Sequence, residues 1–266
     1  MSPAATATAS RPVLITLPLS LFNELGRWTL ESCGLDYEER RHTAVLHVLA
    51  SRLRGGAGTT PLLIADRQRV TESAEIAEWA DAMAPEGAHI YPRDPEARAE
   101  AKALVTHVAE DLGLYARRMA WEFFVEDPDA VMRFWSEGTP AWEQRITPVM
   151  LKTSKPLVRR KMDLSKEALA EAPVKTMAAL DEIAATLADG RPFLGGDRFG
   201  IHDIAFATMA SPAVCPPEGY PVPHFQPEDF PQVHADRIRR FREHPAGQFA
   251  LRMYAEHRSP ATRGSY

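Results

Sequence analysis

Ser20 stands where a short apolar run gives way to helical spacing, a junction that gives a hydroxyl two uses. It can cap the helix that follows. Its O–H can also donate to a negatively charged atom that the oriented amides of the helix start attract as well. Farther along, His107, Asp111, Tyr115 and Arg118 recur at helical spacing, with Trp121 following, so that one side of a long helix would carry them all. Such a stripe serves either as core and solvated face or as the wall of a pocket. The nine histidines show no H-E-x-x-H and no paired Cys/His spacing, so no metal site is expected. Cys33 and Cys215 are the only cysteines, too few for a disulfide framework or a four-thiolate zinc site, and a reducing, cytoplasmic setting fits them.

The elements that must position these residues follow from the pattern of the 266-residue chain, 45% hydrophobic and 25% charged, long enough for two domains. Lys plus Arg is 31 against 36 for Asp plus Glu, a net charge of −5 that gives no electrostatic reason to bind nucleic acid or anionic lipid. Residues 1–11 read as a loose polar tail, not a signal peptide, and no stretch approaches the roughly 20 apolar residues of a membrane span. The run PVLITL reads as a buried strand, and Leu21 to Gly34 as a helix ended by glycine. Tyr37–Thr43 suits a second strand with exposed charges, and 44–53 a second helix. After the GGAG loop, Pro61 opens a third strand, Arg69–Thr71 its hairpin partner, and Glu72–Met83 a third helix.

That order predicts a thioredoxin-like α/β domain over 12–83. A linker at 84–94 follows. Asp94 and Pro95 then open a long helix toward Phe124, and no strand signal recurs. Helices are expected at 130–135, 140–149, 155–162, 167–187, 203–209 and 236–257, making 95–266 an all-α domain. Seven prolines between Pro212 and Pro231, with aromatic residues among them, predict an irregular packed loop. Arg159–Lys161 reads as solvated basic surface.

Three stretches carry a resemblance to the cytosolic glutathione transferases over nearly the whole chain. LPLSLFNELGRWTLESCGLDYEER resembles the family's opening strand-turn-helix, TTPLLIADRQRVTESAEIAEWAD its V-P-x-L and E-S-x-x-I, and PFLGGDRFGIHDIAFA the folding signature of its helical domain. The closing HPAGQFALRMYAEHR is similar to that of a little-described bacterial branch. The resemblance implies an α/β thioredoxin-like domain followed by an all-α domain, a homodimer, and glutathione as co-substrate.

It also implies residue roles. A thiol with an ordinary pKa of about 8.5 must be held as thiolate at neutral pH. Ser20 matches the thiolate-stabilising serine. Asn23 stands where some classes place a reactive cysteine, and its amide could donate to sulfur instead. Leu21 and Phe22 depart from the proline and small residues common after that serine. Phe22, Thr60, Pro61, Glu72 and Ser73 are the implied glutathione-binding residues. Thr60, before a family cis-proline, presents backbone to the cysteinyl part; Ser73 and the helix amides take the γ-glutamyl carboxylate, and Glu72 its ammonium. Both residues are also ordinary caps. The acceptor pocket for a small hydrophobic molecule is expected between the domains, lined by His107, Asp111, Tyr115 and Arg118. Gly200 replaces the usual Ser or Thr cap of the folding signature, leaving Asp203 as the other half of the capping box and Phe199 with Ile204 as a staple. Two functions remain open: an enzyme that transfers the thiolate to an electrophile, or carries out a glutathione-assisted isomerisation or reduction on the same site, and a non-catalytic binding protein that keeps the fold for a hydrophobic ligand or protein partner.

Overall fold

A computed structural model describes residues 11–258 apart from Pro223, so all but the last residue of the expected tail at 1–11 lies outside the described residues. Its first unit runs β1 (Val13–Thr16), α1 (Leu21–Ser32), β2 (Glu38–Arg41), α2 (Leu46–Leu53), β3 (Leu62–Ala65), β4 (Gln68–Val70) and α3 (Ser73–Met83). The four strands form one sheet in the order β2-β1-β3-β4. β1 and β2 are parallel because α1 crosses between them; β3 pairs antiparallel with both β1 and β4. This is the expected thioredoxin-like arrangement.

The rest is helical: α4 (Pro95–Val108), a π-helical segment (Ala109–Gly113), α5 (Leu114–Phe124), α6 (Pro128–Trp135), α7 (Ala141–Lys161), α8 (Lys166–Leu187), α9 (Ile201–Val214), α10 (Gln232–Glu243) and α11 (Pro245–His257). Asp94 starts α4 as its sequence position implies, its carboxylate accepting from the Glu96 and Ala97 amides. Three boundaries differ from expectation. The helices foreseen at 140–149 and 155–162 are one, α7, with Pro148 and Pro156 inside it. Only Glu143, Thr147 and Leu151 of α7 are buried, so water can take the carbonyls that the prolines release. The single helix foreseen at 236–257 is two, because the residue before Pro245 turns extended (His244, ψ 140°). α9 begins and ends beyond 203–209, carrying Pro212 in its last turn.

α9 is buried almost all round and is the axis of the molecule. One core joins both units, with Leu21, Leu25, Trp28 and Ile76 from the first packed with Val105, Leu112, Ile204 and Met209 from the second. The linker is stitched down as well. Asp81 accepts from the Ile90 and Tyr91 amides and pairs with Arg98 at 2.8 Å. Gly200 has a reason of its own: a Cβ there would lie 2.7 Å from the Ile90 carbonyl oxygen, which accepts the Ile201 amide. The Asp203 half of the box is kept, accepting from Gly200 and Leu194, while burial pushes its carboxyl up to about 6.

β2 corrects a further expectation. Its charges are not all exposed, since Glu39 and Arg41 point inward. Glu39 pairs with Arg27 at 2.6 Å and Arg41 at 2.9 Å and accepts from Thr16. Arg27 approaches Glu24, which pairs with Arg258 beyond α11 at 2.6 Å; Arg258 also meets Glu31. Burial raises Glu24 above the usual carboxylate value despite Arg258 and Arg27. At Glu39 burial also opposes ionisation, but Arg27 and Arg41 outweigh it and hold the carboxyl at about 2.

A carboxyl lowered on folding contributes stability that is complete above its unfolded value, 4.5, and is lost as pH falls toward 2. The stability advantage of the wild type over Glu39→Gln, taken from urea unfolding, should therefore shrink by about 2 kcal/mol between pH 6 and pH 3. A difference independent of pH would mean that Glu39 is not held ionised.

Candidate functional site

A cavity of about 210 Å³ opens between the two units. The β1–α1 turn forms one wall with Leu17, Leu19, Ser20, Leu21 and Phe22. The turn is fixed from behind, because the buried Arg27 donates to the Leu17 carbonyl at 3.1 Å. Ser20 occupies the N-cap position of α1 with extended backbone (φ −148°, ψ 123°), yet its hydroxyl makes no capping hydrogen bond. A lining hydroxyl at a helix start, uncommitted to the helix, is what the stabilisation of a bound anion requires.

Thr59 and Thr60 add a second wall, with His47 of α2 nearby. The Thr60–Pro61 peptide is cis. Asn23 does not line the cavity. It is fully buried, and its Nδ2 donates to Thr60 Oγ1 at 3.2 Å, so its amide supports the Thr60 turn instead of facing a ligand. Glu72 and Ser73 stand at the head of α3, outside the cavity lining; Glu72 is exposed and makes no side-chain cap, and Ser73 is buried.

The helical wall departs most from the sequence reading. His107 and Asp111 lie on the outer surface, paired with each other at 2.9 Å, and His107 with Glu182 of α8 at 3.0 Å. Tyr115 packs on the main core under the Arg118 guanidinium, and Arg118 bonds to Asp163 and the Met162 carbonyl. None of the four lines the cavity. The face turned to it carries Arg117, Ala120, Trp121 and Phe124. A π-helical segment at 109–113 lies within the stripe, and its extra residue per turn rotates Tyr115, Arg118 and the rest of α5 relative to His107 on α4.

Trp135 of α6 and the Pro-rich stretch close the far side. Phe225 packs on Phe124 and Phe134 with ring centroids 4.4 and 4.0 Å apart, and Trp121 on Trp135 at 4.8 Å. The packed loop foreseen around 212–231 thus supplies Tyr220, His224, Phe225 and Phe230 to the lining. The alternation of aromatic residues with prolines was the available signal for them. Burial pushes His224 down to about 3 and His47 down to about 4, so both imidazoles are neutral at neutral pH. Lys161, foreseen as plain surface, reaches the cavity rim.

A family model described as the glutathione S-transferase N-terminal domain matches residues 14–88, and one for the C-terminal domain matches 166–235. The chain belongs to the glutathione S-transferase superfamily. Its fold is similar to a Tau class glutathione S-transferase from mango, Mangifera indica, at 21% identity and TM-score 0.53, covering 92% of this chain and 94% of that one. It is also similar to beta-etherase LigF from Sphingobium sp. strain SYK-6 at 20% identity and TM-score 0.58, covering 91% and 99%. A third likeness is to the theta class enzyme of Xanthomonas axonopodis pv. citri with glutathione bound, at 19% identity and TM-score 0.54, covering 90% and 96%. At these identities the likeness is one of fold. No curated protein sequence matches the chain.

Within this glutathione S-transferase fold the two cysteines are free and buried, and burial pushes both thiols up to about 12. Neither lines the cavity. A protonated, enclosed thiol is a poor nucleophile. Treatment of the native protein with Ellman's reagent at pH 8 should release almost no thiolate chromophore within minutes, and two equivalents after unfolding in guanidinium. A fast-reacting equivalent in the native state would mean that one of the two thiols is accessible and ionised in the folded protein.

Proposed function

We propose that the cavity binds glutathione and holds its sulfur as thiolate beside Ser20 for attack on a small hydrophobic electrophile. The observation that carries this reading is the Ser20 hydroxyl, which lines the cavity at the head of α1 and is not spent on capping. A hydroxyl donating to sulfur, together with the first amides of α1, favours the anion over the thiol. The thiol proton goes to solvent, the sulfur lone pair forms the new bond to carbon, and the displaced group leaves with the electrons of the bond it gives up.

The other contacts follow the tripeptide outward. Phe22 lies beside the cysteinyl sulfur, and Thr60, ahead of Pro61, presents its backbone to the cysteinyl part. The free amides of α3 and the Ser73 hydroxyl receive the γ-glutamyl carboxylate, and Glu72 pairs with the ammonium. Asn23 is a positioning residue in this scheme, acting through its bond to Thr60. The same reading makes the protein a cytoplasmic, homodimeric detoxification enzyme, in keeping with its two free thiols.

Loss of one charge-assisted hydrogen bond is worth about 1.5–3 kcal/mol, so Ser20→Ala should lower kcat/KM for 1-chloro-2,4-dinitrobenzene roughly 10- to 100-fold. The bound thiol's titration, followed by thiolate absorbance, should move up in pH. Asn23→Ala should weaken glutathione binding while leaving that titration in place. If Asn23→Ala alone moves it, the role of Ser20 is lost. Glutathione binding without turnover in the wild type would favour a non-catalytic binding protein.

A further inference from the structure

Among the described residues the fully buried arginines each meet a carboxylate, whereas the half-buried Arg117 at the cavity does not. Arg27, Arg41 and Arg258 each face a carboxylate within the fold. Arg118, next in sequence, has Asp163, and Arg159 has Glu126. Arg117 is half-buried, and its one contact of note is with the Phe22 ring, 5.5 Å from the centroid; among the described residues it forms no salt bridge or side-chain hydrogen bond. Burial, and then the charge of Arg118, pull it below its ordinary value. Lys161 at the rim is likewise without an ion pair among the described residues. Among the described residues no Asp or Glu lines the cavity.

A half-buried guanidinium without a counter-charge has given up part of its hydration with nothing in return, so an anion entering the cavity would gain a charge-assisted contact there. What surrounds the charge is aromatic. Trp121 lies one turn along α5 from Arg117, about 5–6 Å between Cβ atoms and so about the span of a substituted benzene ring. Phe124 follows on the next turn, and Trp135, Phe225 and Phe230 complete the apolar end. Aromatic side chains and unpaired cations in one lining suit a ring bearing an acid group.

Resting on the glutathione reading of the cavity, we propose that its second ligand is an aromatic carboxylate, with the ring among Trp121, Phe124, Trp135 and Phe225 and the carboxylate on Arg117 and Lys161. Glutathione also carries carboxylates, so the same cations could serve the glycyl end of the tripeptide, and the test must separate the two sources.

Trp121 and Trp135 report occupancy by quenching. Wild-type protein without glutathione is titrated with 4-chloro-3,5-dinitrobenzoate and with its neutral methyl ester. The acid should bind roughly tenfold more tightly than the ester, the equivalent of one charge-assisted contact. Arg117→Met should erase that preference while keeping ester binding, Arg117→Lys should retain part of it, and Lys161→Met should reduce it. Equal affinity for acid and ester in the wild type overturns the inference even if no variant folds. It also falls if Arg117→Met weakens glutathione binding but leaves the acid-to-ester ratio unchanged, since the cation then serves the tripeptide. Preference for the acid in a protein that binds no glutathione would leave the inference standing and remove the proposed function instead.

Discussion

The structure depends on a cluster of paired charges beneath α1, in which Arg27, Arg41 and Arg258 meet Glu24, Glu31 and Glu39. Removing the fully buried Arg27, which faces both Glu24 and Glu39, would leave uncompensated charge in the interior, an error worth about 3–5 kcal/mol. The cluster therefore fixes relative positions that apolar packing would leave adjustable. It ties α1 to β2 and the chain beyond α11 back to α1. Through Arg27 it also holds the Leu17 carbonyl, and with it the turn that presents Ser20.

The same demand for matched polar groups sets the angle between the two units. Asp81 of α3 gathers two linker amides and Arg98 of α4, so the chain leaves the first unit in one direction. Ile90 then receives the Ile201 amide, an approach that excludes any side chain at Gly200. The loss of a Ser or Thr cap in the folding signature is thus explained by crowding. The walls of the cavity come from both units, so these bonds, with the shared core, hold the two sides of it together.

How much of this was legible in the sequence varied with the range of the forces involved. Period and breakers gave the β-α-β-α-β-β-α order and most helices, because strand runs, Asp94–Pro95 and the glycine after α1 act locally. Prolines misled in α7, where exposure lets a helix run through them, and too little weight fell on Pro245, which does break the chain. Glu39 and Arg41 looked solvated because their partners are distant in sequence; only the fold brings Arg27 to them. Arg117 and the aromatic lining were missed for a different reason.

That reason lies in five residues. A stripe drawn at 107, 111, 115 and 118 assumes one unbroken helix, whereas the π-helical segment changes the phase midway, and nothing in the local composition announces it. At its end the chain is closely packed: a Cβ at Gly113 would lie 2.6 Å from Met209 Sδ and 3.0 Å from Leu21 Cδ1. The helix thus passes close to Met209 of α9 and Leu21 at the head of α1, whose side-chain ends a Cβ at Gly113 would have to displace. The same close passage brings α5 against the Ser20 turn, with Arg117 and Trp121 rotated inward and Tyr115 and Arg118 turned away. The phase of one helix thus selects which side chains meet the ligand, and a cation without a partner is among those it selects.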